Sequence, residues 1–111
     1  MKKQYRIKKS SEIETVLKKG VKAYSRYFIL YKLETNETSQ FRFATSVGKK
    51  IGNAVVRNLT KRRIRAAFDK FNLTSKTMDV FIIAKTNVNE LTFEGYVKQI
   101  GYLLQKLHII D

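Results

Sequence analysis

An α+β fold is predicted for this chain: a two-layer sandwich in the order helix–strand–strand–helix–strand–helix, with helices packed on a sheet of three or four strands. Three runs rich in β-branched and aromatic residues, 26–33, 41–47 and 78–85, read as strands. Three windows carry apolar residues at helical spacing, each preceded by a capping residue: Ser11, Asn53 or Thr92. Of the 111 residues, 43% are hydrophobic and 12% aromatic, which is the composition of a folded core and not of a basic tail. The length suits one domain, 1–111, with a basic extended arm at 1–10, and neither proline nor a repeat marks a linker.

The first helix is placed at about 11–19. Ser11 and Glu14 form a capping box, Ile13, Val16 and Leu17 make the apolar face, and Gly20 supplies a left-handed stop. Residues 26–33 are apolar on both faces, as in a strand covered from two sides. Thr35 to Gln40 is a polar turn, and 41–47 alternates as a second strand. Gly48 to Asn53 is a loop with two lysines. Asn53 then caps a long helix, about 54–71, whose residues Val56, Ile64, Ala67 and Phe71 should face the sheet. After the strand at 78–85, Thr92 caps a last helix with a wide stripe: Phe93, Tyr96, Val97, Ile100, Leu103, Leu104 and Leu107. Gly95 and Gly101 weaken that helix, each by about 1 kcal/mol relative to Ala.

Charge narrows the function. The chain has 23 Lys and Arg against 9 Asp and Glu, a formal charge of +14. A domain this basic repels itself, so a polyanion is the expected partner, nucleic acid first and an anionic membrane surface second. Clustering argues against mere solubility. Five cations lie between Lys2 and Lys9, and seven more lie between Lys49 and Arg65, with no acid from Gly48 to Ala67. The absence of cysteine excludes disulfides and thiolate zinc sites, and a single His (His108) excludes a His pair for a metal and a Ser-His-Asp triad. No run reaches the roughly 20 apolar residues of a membrane span. The basic start has no apolar segment behind it, so export is not expected.

The central helix carries the most information. At 100° per residue Arg57, Lys61 and Arg65 fall on one line, with Asn58 and Arg62 beside it. Like charges four apart destabilise a helix by a few tenths of a kcal/mol per pair, so a helix that repeats them points to an anionic ligand. A solvated outer face would mix Glu with Lys. In the loop ahead of the helix, Lys49 and Lys50 add charge, and free N–H groups at the helix start can hold a phosphate. The spacing is not that of a nucleotide-binding P-loop. Asn58 is a neutral amide in a cationic row, suited to a 2′-hydroxyl, to a weak contact with a hydrated Mg²⁺, or to plain solvent exposure.

Here the sequence resembles the protein subunit of bacterial ribonuclease P. The resemblance rests on Lys49-Lys50-Ile51-Gly52-Asn53-Ala54-Val55-Val56-Arg57-Asn58-Leu59-Thr60-Lys61-Arg62-Arg63-Ile64-Arg65, and extends to Tyr5-Arg6-Ile7-Lys8-Lys9, Gly20 and Phe28-Ile29-Leu30-Tyr31. Two positions depart from the family pattern: Leu59 stands where a basic residue is usual, and Ile13 and Leu17 stand where the first helix usually has aromatics. The resemblance implies a left-handed crossover through the basic helix, joining two parallel strands near 41–47 and 78–85. It also implies a cytoplasmic accessory subunit of an endoribonuclease that matures the 5′ end of tRNA, with no catalytic residue of its own. The partners would be the catalytic RNA subunit, which binds Mg²⁺ and performs the hydrolysis, and precursor tRNA, with neither membrane nor DNA. Lys49, Lys50, Asn53, Arg57, Asn58, Lys61, Arg62 and Arg65 would bind RNA. Ile13, Leu17 and Tyr31 would form the cleft for the single-stranded 5′ leader. The alternative is a ribosomal or ribosome-assembly RNA-binding protein. A DNA-reading helix would carry more Gln, Asn and Ser for base edges, and a stand-alone nuclease would need a catalytic group that the chain does not offer.

Overall fold

The computed structural model describes residues 3–34 and 40–111. Four strands form one sheet in the order β1-β2-β4-β3, comprising β1 (Val21–Tyr24), β2 (Phe28–Leu33), β3 (Arg42–Ser46) and β4 (Asp79–Ala84). The helices are α1 (Ser10–Lys19), α2 (Ala54–Asp69) and α3 (Phe93–Lys106). The expected turn at 35–40 lies, apart from Gln40, outside the described residues, as do the first two residues of the arm.

The most apolar run becomes the central strand. β4 pairs antiparallel with β2 and parallel with β3, and all its residues except Ile83 are buried. A parallel pair needs a long crossover, which α2 supplies between β3 and β4. Side chains alternate between two faces. On one face Phe28, Leu30, Phe43, Val80 and Ile82 meet α2 and α3 through Ile64, Phe68, Tyr96, Ile100, Leu103 and Leu104. The Phe28 and Tyr96 rings meet edge to face at 5.7 Å. The sandwich of helices on a sheet thus stands, with one refinement: among the described residues α1 is the one helix on the opposite face, beside Ile7 of the arm. There Val16 packs with Ile7, Ala44 and Phe81, flanked by Ile13, Tyr31, Leu33 and Ile83.

Two caps are as expected. Asn53 Oδ1 accepts from the Val56 N–H at 3.0 Å, and Thr92 Oγ1 accepts from the Gly95 N–H at 3.1 Å. The capping box at Ser11 is not formed. α1 starts one residue earlier, with Lys9 at the cap and no side chain bonding there. In the same turn Glu12 pairs with Arg42 on β3 at 2.7 Å, which ties the helix start to the sheet. α2 ends at Asp69, so Phe71 leaves the helix and packs against Gly101, where an added Cβ would come within 3.0 Å of its ring. On α2 the fully buried residues are Thr60, Ile64, Ala67 and Phe68, while Val56 packs only partly buried. Thr60 is tolerated there because its hydroxyl donates to the Val56 carbonyl at 2.9 Å.

Strand β1 does not show in the sequence pattern, since only Ala23 of its four residues is buried. It forms because Val21 to Tyr24 pairs with Lys32 to Ile29, and because Ser25 Oγ accepts from the N–H groups of Tyr27 and Phe28 to close the hairpin. Nor is the arm wholly extended. Lys3–Tyr5 is a 3-10 turn, after which Arg6 bridges to Phe43 and the Ile7 N–H donates to the Phe43 carbonyl at 2.8 Å.

Gly20 is not a left-handed stop, for its φ of −73° and ψ of 156° are ordinary extended values. What it provides is space: a Cβ would lie 2.5 Å from the Val16 carbonyl oxygen and 2.9 Å from that of Lys32. Both obstacles are backbone. Gly20→Ala is therefore expected to cost roughly 1–3 kcal/mol, the usual range for overpacking, measured as a lowered midpoint of urea unfolding. No loss of stability would show that the α1–β2 junction yields freely.

Candidate nucleic-acid interface

The basic helix is held at its start by the cap on Asn53 and by the 3-10 turn Lys49–Ile51 before it. Ile51 is buried, and its carbonyl accepts from Asn89 Nδ2 at 2.9 Å, so the loop is pinned while Lys49 and Lys50 stay exposed. Asn53 has its side-chain oxygen engaged in the cap, which leaves its amide N–H groups for a ligand.

Along α2, Asn58 and Arg62 are exposed, whereas Arg57, Lys61 and Arg65 are half-buried. The row therefore runs on the flank of the helix rather than on its crest. That flank faces the edge of β3 to which Arg6 is bridged, where Lys61 and Arg65 line one groove with Arg6, Ile13, Ala44 and Thr45. Among the described residues the groove has no carboxylate in its lining. Among the described residues, Arg6 Nε and Arg57 Nε are buried without a hydrogen-bond partner. Burial lowers the pKa of Arg65 from its ordinary value, and the charges of Arg6 and Arg62 lower it further. A guanidinium stays protonated even so, and the folded chain holds repelling cations side by side. An anion in the groove would relieve that repulsion.

Arg6 is the member that the helical periodicity did not identify. Its only sequence signal was membership in the basic arm; the bridge to Phe43 brings it to α2. Ile13 joins the two sets of residues, lining the groove beside Lys61 and Arg65 while packing in the same apolar cluster as Tyr31. The Tyr31 ring lies 6.3 Å from that of Phe81, at 46°. Leu17, one turn beyond Ile13 on α1, is 39% exposed and outside that cluster.

Among the described residues no three His, Cys, Asp or Glu side chains come together as a metal site. What the geometry offers is a cationic groove with an apolar wall at Ile13.

The family model for ribonuclease P matches residues 1–108. A "Ribonuclease P protein component" of Enterococcus faecalis is 39% identical over 112 residues, covering 100% of this chain and 95% of that protein. The component from Bacillus velezensis is 41% identical over 106 residues, covering 96% and 91%. Among solved structures, the Staphylococcus aureus RNase P protein superimposes with a TM-score of 0.86 at 32% identity, covering 96% of this chain and 98% of that one.

Proposed function

Since the chain belongs to the ribonuclease P protein family and is the protein component of that endoribonuclease, we propose that its cationic groove joins two RNA-binding tracks on one surface. Arg57, Asn58, Lys61, Arg62 and Arg65, with Lys49, Lys50 and Asn53 at the helix start, bind the catalytic RNA. Ile13, Leu17 and Tyr31 receive the single-stranded 5′ leader of precursor tRNA. The observation that carries this reading is the groove itself, in which Arg6, Lys61 and Arg65 meet Ile13 with no carboxylate among the described residues of the lining.

The protein's part is electrostatic and geometric. Arg guanidinium groups pair with phosphates bidentately and Lys61 adds a point charge, so phosphates that repel one another in free RNA are held together. Mg²⁺, held mainly by the RNA, supplies activation of the attacking water. The exposed Asn58 amide suits a hydrated ion or a 2′-hydroxyl, being a single neutral oxygen donor. Among the described residues no helix is long and apolar enough to cross a membrane; we place the complex in the cytoplasm, where precursor tRNA is made.

Reconstitution tests the reading. Mixed with a bacterial ribonuclease P RNA, the chain should raise precursor cleavage at Mg²⁺ concentrations where that RNA alone is slow. The chain with Mg²⁺ but no RNA should be inert. If the chain gives no gain at low Mg²⁺ and recovers ribosomal RNA from cells instead, the reading fails in favour of a ribosome-assembly role.

A further inference from the structure

The sheet face that carries Tyr31 does not end at Tyr31. Lys22 on β1 is its cross-strand partner, and Tyr31 is in turn the partner of Phe81, so the three form one row across β1, β2 and β4. Tyr24, two residues beyond Lys22, emerges on the same face and sits diagonal to Tyr31. The Lys22 ammonium lies 5.3 Å from the centroid of the Tyr24 ring and 5.9 Å from that of Tyr31. One cation is thus flanked by two aromatic faces, on the edge strand of the sheet.

We propose that Tyr24 and Lys22 form a stacking site for an unpaired nucleotide of the RNA leader, which extends the cleft from Tyr31 to the sheet edge. The proposal rests on reading that cleft as the leader's path. Two features of the site favour a nucleotide. Tyr24 is 50% exposed, so its ring contributes little to the core and remains free to take a base. An aromatic face beside an ammonium matches the two halves of a nucleotide, with the base stacking on the ring and the phosphate meeting the charge. The helix on this face cannot supply the same chemistry: Ile13 and Leu17 are aliphatic and offer no π surface. Stacking must therefore come from the strands, where Tyr31 is already half-buried against Phe81 and Tyr24 is the more open ring. The Tyr24 hydroxyl, followed by the electrostatic effect of both rings, raises the pKa of Lys22 from its ordinary value. Its charge is therefore present across the neutral range. When a base covers Tyr24, the flexible Lys22 stem can swing its ammonium off the ring to the neighbouring phosphate.

The test uses holoenzyme reconstituted with a bacterial ribonuclease P RNA, and compares affinity for a precursor tRNA with a long leader against the same tRNA without one. Tyr24→Val keeps β-propensity but removes the ring, and is expected to lower leader-dependent affinity about tenfold. Tyr24→Phe should keep most of that affinity, since the ring remains. Lys22→Gln should shallow the salt dependence of the leader gain by about 0.7, one single-strand phosphate. If Tyr24→Val leaves the leader gain intact while Tyr31→Ala reduces it, the stacking site is refuted and the cleft stands. If neither variant changes the gain, the cleft reading falls as well. Equal losses for the tRNA with and without leader would also overturn the proposal, because they would report a defect in folding or assembly.

Discussion

Replacing Arg57, Lys61 and Arg65 together by Ala is expected to weaken binding of the ribonuclease P RNA and to reduce its salt dependence. Each phosphate neutralised adds about 0.7–0.9 to the slope of log affinity against log salt, so losing three contacts should reduce the slope by about two units. The three residues lie on one flank of α2, and two of them line a groove with no carboxylate among its described residues. Their effect should therefore be seen mainly as lost counterion release. Fluorescence titration of labelled RNA at several salt concentrations measures this. An unchanged slope would mean that the row is not the RNA track. Arg6→Ala should add a further, smaller decrement, since it reaches the same groove from the arm.

The largest effect on stability is expected at Arg42. Its Nε and one terminal nitrogen donate to Asp79 Oδ1 and Oδ2, each at 2.9 Å, and the other terminal nitrogen donates to Glu12 at 2.7 Å. Arg42 and Asp79 are register partners on β3 and β4, so a bidentate pair crosses the parallel ladder and then clips α1 to the sheet. The hydrogen bonds that Arg42 donates to Asp79 raise its pKa most, burial opposes them, and Glu12 adds to the rise. Asp79 is only 4% exposed. Arg42→Met leaves that carboxylate buried without its cation, at a cost of about 3 kcal/mol, the low end for breaking a buried pair because Arg42 itself is partly in water. The double variant Arg42→Met with Asp79→Leu should regain most of the loss, since two apolar side chains need no partner. Urea unfolding of the free protein decides it. A single variant as stable as the parent would show that the triad contributes nothing net. The single variant should also lose leader affinity, because α1, which carries Ile13, is no longer held at Glu12.

Part of this design could be read without coordinates. The caps at Asn53 and Thr92, the stripe of α3 and the apolar run of β4 are local signals, written within a few residues of where they act. The cationic row of α2 was legible for the same reason: a period of 3.6 places Arg57, Lys61 and Arg65 together wherever the helix goes. Local rules failed where a distant partner decides. Ser11 looks like a cap, yet Lys9 holds that position and the first turn of α1 is tied to β3 through Glu12 and Arg42. Gly20 looks like a handed stop, yet it is required by two carbonyls, one of them on β2. Val21 to Tyr24 has too little apolar alternation to announce a strand, and pairing with β2 makes it one.

The sequence by itself therefore determined the elements with strong periodicity, the polyanion partner and the residues of the basic row. The tertiary structure alone decided that the row lies half-buried on a flank, that Arg6 joins it, and that Ile13 links it to Tyr31. Periodicity reports which side chains share a face of one element. Which faces meet depends on hydrogen bonds and ion pairs between residues 30 or more positions apart, and no short window of sequence contains both ends of those.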